Sequence, residues 1–81
     1  MNVTVHFFAR ARDLAGVPSA VVTLPPCATV GYLRQYLGQA HPNLAALLEH
    51  SALAVNNDYA ADDLPLPANA DIALLPPVSG G

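Results

Sequence analysis

Alternation of apolar and polar residues predicts a first strand over residues 3–9. Its two faces hold Val3, Val5 and Phe7 on one side, and Thr4, His6 and Phe8 on the other. Residues 10–16 are largely polar and end in glycine, which predicts a loop. A run rich in β-branched residues over 19–24 predicts a second strand. The chain therefore opens with a hairpin-like pair of strands.

A helical pattern follows the two prolines at positions 25 and 26. Apolar residues recur at helical spacing from position 30 to position 37, and Thr29 precedes them as an N-cap. This pattern predicts a helix that runs through residue 39 or 40, and Pro42 prevents its continuation. Asn43 is expected to cap a shorter second helix that ends at Glu49.

The last third of the chain returns to strands. Residues 53–56 predict a third strand, and Asn57-Asp58 predict a turn before a short returning strand that starts at Tyr59. Residues 71–75 are nearly all apolar, which is typical of a central strand. The order predicts an α+β fold of the β-grasp type, with one main crossover helix on a mixed sheet. In this fold the first and last strands are parallel neighbours at the centre.

The final six residues read as a tail that narrows towards its end. Pro76 and Pro77 impose an extended path, and Val78 and Ser79 are small. They are followed by Gly80 and Gly81, which carry no side chain. Six extended residues reach roughly 20 Å. We therefore divide the chain into a β-grasp domain over residues 1–75 and an extended tail over residues 76–81, suited to placing a carboxylate in a narrow pocket of another protein.

Composition narrows the range of functions. Eighty-one residues with a net charge of −3 make one domain, and Arg10, Arg12 and Arg34 are its only cations apart from histidine. Nucleic acid is not an expected partner, because no basic patch can form. Membrane insertion is not expected either, since no apolar run approaches the ~18 residues that cross a bilayer. The absence of a signal-peptide pattern makes the cytoplasm the expected location.

The residues that could carry chemistry form no active-site pattern. His6, His41 and His50 have no metal-like spacing with one another or with Cys27, so no metal site is expected. The sequence contains neither a glycine-rich phosphate loop nor a Gly-x-Ser-x-Gly elbow. We therefore do not expect the chain to be an enzyme on its own or to bind a cofactor.

One group of apolar residues is predicted on the sheet face away from the helix. Strand parity places Phe8 and Leu75 on that face, and Tyr59 lies near a strand edge beside them. Clustered apolar side chains of this kind mark an interface. The alternative is that the loops after Phe8 cover it. Arg12 is expected to pair across the interface or with a local acid, for example in the 62–63 loop, or else to stay solvated.

These features together resemble the small sulfur-carrier subunit of molybdopterin synthase, the MoaD-type family of ubiquitin-like β-grasp proteins. The resemblance covers essentially the whole chain and is strongest in residues 5–16 and 71–81. Val55-Asn56 with Tyr59 also matches a Val-Asn and apolar pattern of the family. Family members often have Asp-Gly-Asp before the last strand, where this chain has Ala68-Asn69-Ala70-Asp71. Asparagine tolerates the left-handed conformation, so we expect the turn to be kept.

The resemblance implies a function in which Gly81 reacts. An E1-like activating enzyme is expected to adenylate the Gly81 carboxylate with ATP, and sulfur then replaces AMP to give a thiocarboxylate. The carrier is expected to dock on the large synthase subunit and to pass sulfur to precursor Z, cyclic pyranopterin monophosphate. Three alternatives stay open at this point: a sulfur carrier of another pathway such as thiamine synthesis, a ubiquitin-type protein modifier, and a plain interaction domain.

Overall fold

The computed structural model describes residues 1–76, which form a five-stranded mixed sheet with helices on one face. The strands are β1 Asn2–Phe7, β2 Ser19–Thr23, β3 Ala52–Val55, β4 Asp58–Tyr59 and β5 Asp71–Leu75. The helices are α1 Ala9–Ala15, α2 Val30–Ala40 and α3 Ala45–Leu48, and a 3-10 turn at Pro42–Leu44 precedes α3. None of the described helices is long and apolar enough to cross a bilayer.

The strand order is β2-β1-β5-β3-β4. Strands β1 and β5 are parallel, with Val5 opposite Ile72, and the other neighbours are antiparallel. This arrangement confirms the predicted β-grasp fold, including the parallel pairing of the first and last strands. Because β5 is the middle strand, Pro76 continues the chain from the centre of the sheet.

The core lies between the sheet and the helices. Alternate strand residues face it, and α2 adds a stripe of side chains at helical spacing. The largest fully buried side chains are Phe7, Leu33, Leu37, Leu44, Leu53, Ile72, Leu74, Val3, Val5 and Val30. Each such burial is worth about 1.5–3 kcal/mol. The α2 start is confirmed as well, since the Thr29 Oγ1 accepts the Tyr32 backbone N–H at 3.2 Å.

Two local predictions about helices are wrong. Residues 9–15 form α1, whereas the pattern predicts a strand through residue 9 and a loop over residues 10–16, and Ala11 is fully buried on this helix. Gly16 ends α1 in the left-handed conformation, with φ 78° and its N–H bonded to the Arg12 carbonyl. Asn43 does not cap the second helix, because it lies inside the 3-10 turn that begins at Pro42.

Asparagines with positive φ form the turns before β4 and before β5. The turn between β3 and β4 lies one residue earlier than predicted, with positive φ at both Asn56 (48°) and Asn57 (76°). Positive φ at both central residues is the pattern of a type I′ hairpin turn. Before β5, Asn69 has φ 58°, which confirms that asparagine holds the left-handed position in that turn.

Candidate functional site

The sheet face opposite the helices, here called the open face, carries large apolar side chains that folding leaves exposed. Phe8 is 47% exposed, Tyr59 is 78% exposed and Val21 is 69% exposed. Ala73 and Leu75 of the middle strand are half-buried on the same face. In a sheet with one solvated face, the residues on that face are mostly polar. The open face therefore carries more apolar residues than a face that only contacts water.

Strand pairing places the predicted interface residues on this one face. Tyr59 lies opposite Ala54, Ala54 opposite Ala73, and Ala73 opposite His6, so these residues form one row across four strands. Phe8 follows β1 directly and lines a groove with His6 and Ala73. Phe8, Tyr59 and Leu75 therefore share the open face, and the alternative that loops cover Phe8 is wrong, because Phe8 is half exposed.

Val21 belongs to the open face and was missed by the sequence reasoning. It lies on β2 opposite Thr4, whereas its neighbour Val22 lies opposite Val3 and is buried in the core. The strand parity of β2 carries the signal for this exposure. Strand propensity does not, because both valines favour strands equally.

Arg12 and Arg34 differ in their surroundings, because Arg12 is exposed and Arg34 forms an ion pair. Arg12 is exposed on α1, and the ion pairs found within residues 1–76 are His6–Asp71 and Arg34–Asp62. The prediction that Arg12 could pair with the 62–63 loop is therefore wrong, because Arg34 takes that position. A role for Arg12 at a partner interface stays a prediction.

Arg34 joins three segments of the chain. Its Nη2 and Nε donate to the Asp62 Oδ1 at 3.0 and 3.2 Å, and its Nη1 donates to the backbone carbonyls of Leu48 and Ser51, the latter at 2.8 Å. These bonds tie α2 to the end of α3 and to the loop before β5. Sequence reasoning did not find this network, since its members lie far apart along the chain.

The predicted tail begins at the edge of the described chain. Pro76 is half-buried and directly follows Leu75, so the start of the tail lies at the end of β5 that is nearest to Phe8. The remaining tail residues lie outside the described residues: Pro77, Val78, Ser79, Gly80 and Gly81. The division into a domain over 1–75 and a tail over 76–81 stays a prediction. Across residues 1–76, no group of three or more His, Cys, Asp or Glu could hold a metal ion.

A family model described as the ThiS family matches residues 5–81. The chain belongs to the ThiS family. Among curated relatives, one from Arabidopsis thaliana is 32% identical over 100% of this chain and 84% of its own length. Another, from Escherichia coli, is 36% identical over 98% of this chain and 99% of its own. Both are named molybdopterin synthase sulfur carrier subunit, which confirms the resemblance seen in the sequence.

Solved structures agree with this family membership. SAMP1 of Haloferax volcanii, a small archaeal modifier protein, superimposes with a TM-score of 0.88 at 30% identity and full coverage of both chains. A chain in a complex of subunits 1 and 2 of molybdopterin-converting factor from Helicobacter pylori gives 0.72 at 29% identity, again with full coverage. Urm1 from Trypanosoma brucei, at 0.73 and 19% identity over 99% of this chain and 95% of its own, shares the ubiquitin-like fold alone.

Proposed function

We propose that this chain is the sulfur carrier of molybdenum cofactor biosynthesis and that Gly81 carries the sulfur. The observation that supports it most is the apolar open face, whose middle strand β5 leads directly into the Pro-Pro-Val-Ser-Gly-Gly sequence. Relatives matched over nearly their full length bear the name of this carrier. In this proposal the chain is not itself an enzyme; it supplies the sulfur-donor subunit of a synthase that a large subunit completes.

The chemistry begins at the Gly81 carboxylate. An ionised carboxylate is a poor electrophile, so the E1-like activating enzyme joins it to the AMP part of ATP and releases pyrophosphate. A sulfur nucleophile then displaces AMP, and Gly81 carries a thiocarboxylate. In the synthase this sulfur bonds to a carbon of precursor Z and displaces an oxygen substituent there. Water then hydrolyses the thioester between Gly81 and the pterin, which leaves the sulfur on the pterin and restores the carboxylate. Because the dithiolene of molybdopterin holds two sulfur atoms, two carriers react for each pterin. ATP binds to the activating partner and not to this chain.

Docking is assigned to the open face. Phe8, Tyr59 and Leu75 are proposed to pack against the large subunit and, at a different time, against the activating enzyme. Both encounters require the tail from the same side of the carrier, so the two partners should compete. The structure from Helicobacter pylori supports a partner of this kind, since a similar chain is in complex with a second subunit there. We propose the cytoplasm as the location of the protein, since ATP is available there to the activating enzyme.

The decisive experiment compares variants of the last two residues in a reconstituted synthase. Deleting Gly81, or adding one residue after it, should abolish pterin conversion by displacing the reacting carboxyl from its centre. Both variants should still bind the large subunit through the open face. Gly80→Ala is the matched control: it keeps the length of the tail and should slow conversion without abolishing it. Full activity after the Gly81 deletion would overturn the carrier assignment.

A second measurement identifies the sulfur directly. The intact mass of the protein isolated from cells should show a fraction with one oxygen replaced by one sulfur. A strain that lacks the activating enzyme should contain none of this fraction. A carrier for thiamine synthesis would show the same mass but would not support pterin conversion.

A protein-modifier function is the second candidate, because SAMP1 of Haloferax volcanii is a small archaeal modifier protein with a closely similar fold. In that case Gly81 would form an amide bond with lysines of other proteins. Denaturing gels of a tagged chain would then show larger conjugates that resist thiol reagents and vanish when Gly81 is deleted. A carrier would show no such conjugates, and a plain interaction domain would lose nothing on deletion of Gly81.

A further inference from the structure

A groove crosses the open face beside Phe8. It is lined by His6 and Phe8 from the end of β1, by Asp71, Ile72 and Ala73 from β5, and by Asn57 from the β3–β4 turn. Phe8 and Ala73 give it an apolar part, and Asp71, Asn57 and His6 give it a polar part. A groove of this composition suits a side chain with an apolar stem and a polar end.

Asp71 is the charged centre of the groove. Its side chain is 74% exposed, and its Oδ1 lies 3.3 Å from the Nε2 of His6. Its backbone N–H donates to the Asn56 Oδ1 at 3.0 Å, which holds the start of β5 in place. A carboxylate offers about four acceptor positions, so one bond from His6 leaves most of this capacity for another donor.

The charges around His6 favour a cation in the groove. Strands β2 and β3 carry no charged residue, β5 carries only Asp71, and β4 carries only Asp58. The nearest cations along the chain, Arg10 and Arg12, lie on α1 and do not line the groove. The whole chain has a net charge of −3. An anionic group would therefore be repelled here, whereas a basic side chain is complementary to the groove.

We propose that the groove binds a basic side chain, arginine or lysine, of the large synthase subunit. This inference rests on the docking role proposed for the open face. The stem of the basic side chain would lie against Phe8 and Ala73, since long basic residues cover apolar surface with their methylene groups. Its charged end would bind the Asp71 carboxylate, and such charge-assisted bonds are stronger than neutral ones.

The test measures the affinity of the full-length chain for the purified large subunit. Asp71→Asn should weaken binding about tenfold, because it keeps the shape of the side chain but not its charge. Asp58→Asn is the matched control: it removes the same charge outside the groove and should change affinity less than twofold.

A second probe reports on the groove without the partner. N-butylguanidinium has the stem and the charge of arginine, and in an NMR titration it should shift the amide signals of His6, Phe8 and Asp71. These shifts should vanish in Asp71→Asn and persist in Asp58→Asn. Unfolding curves of all variants identify any loss of folding.

Several outcomes would overturn the inference. Equal losses in Asp71→Asn and Asp58→Asn would mean that only the overall charge matters, and unchanged affinity in Asp71→Asn would remove the contact altogether. If Phe8→Ala lost binding while Asp71→Asn did not, the groove would not bind a basic side chain, and the proposed carrier function would be unaffected. If instead the groove variants behaved as expected but Gly81 never carried sulfur in cells, the carrier function would fail on its own.

Discussion

The two faces of the middle strand β5 differ in what covers them. Ile72 and Leu74 point towards the helices and are fully buried, whereas Ala73 and Leu75 point to the open face and are half-buried. Ala73 and Leu75 make the open face of β5 apolar beyond Asp71, although folding needs only one apolar face to form the core. The contrast continues across the sheet, where Val22 is buried and its neighbour Val21 is exposed.

The difference separates residues that serve the fold from residues available for a partner. Apolar groups stabilise a structure in proportion to the area that folding removes from water. Val21 and Tyr59 lose little area when the chain folds, so stability does not account for their apolar character. A contiguous exposed apolar patch marks an interaction site, and docking of a partner would cover it.

The largest expected effect belongs to the covered face. Ile72→Ala removes a fully buried side chain and leaves a cavity, which should lower the free energy of unfolding by about 2–5 kcal/mol. The matched change on the open face, Leu75→Ala, should cost clearly less. Urea unfolding of both variants measures this. Equal losses from the two positions would abolish the distinction between the faces.

The reverse pattern is expected for binding. Phe8→Ala should weaken association with the large subunit by one to two decades, because burying such a side chain in an interface is worth about 1.5–3 kcal/mol. Its unfolding free energy should change much less than that of Ile72→Ala. Calorimetric titration gives the affinity, and Tyr32→Ala, an exposed aromatic residue on α2, serves as the control. Normal binding by Phe8→Ala would show that the open face is not the docking site.

The contrast between the faces could be predicted from the sequence because side-chain alternation in a strand is a matter of geometry. Parity alone placed Phe8 and Leu75 on the open face. Helix α1 could not be predicted in this way. Ala11 is its one fully buried residue, which is too little to give a helical stripe, so the helix depends on tertiary packing.

The Arg34 network was out of reach for a related reason. Its partners Leu48, Ser51 and Asp62 become neighbours only after α2, α3 and the following loop have packed together. No local sequence pattern indicates that these residues will be in contact. The conformation of Asn69, in contrast, could be predicted from the sequence. Asparagine replaces the family's glycine there, and it adopts the left-handed conformation more readily than most other side chains do.

Arg34 offers a third test, on the helical side of the sheet. Arg34→Ala removes donors to two backbone carbonyls and to Asp62, and it should lower the free energy of unfolding by about 1–3 kcal/mol. Affinity for the large subunit should stay the same, because Arg34 lies away from the open face. Asp62→Asn should cost less, since it leaves the bonds to the carbonyls in place. A loss of binding without a loss of stability would mean that Arg34 contributes to the interface and not to the stability of the fold.

The smallest expected effect concerns the turn that precedes β5. Register decides which residues of a strand face the core, since a slip by one residue exchanges the two faces. Asn69 holds the turn with φ 58°, and its N–H donates to the Asn2 carbonyl at 2.9 Å. Asn69→Ala should cost about 1 kcal/mol because alanine disfavours the left-handed conformation, whereas Asn69→Gly should be nearly neutral.

Urea unfolding of the two Asn69 variants, with binding to the large subunit measured beside it, tests this turn. Both variants should bind normally, because the strand pairing of Val5 with Ile72 keeps β5 in register even when the turn is strained. If Asn69→Ala lost binding as well as stability, the turn and not the pairing would hold the register. The distinction between the covered face and the open face would then depend on this single residue, and Asn69→Gly should leave both faces as they are.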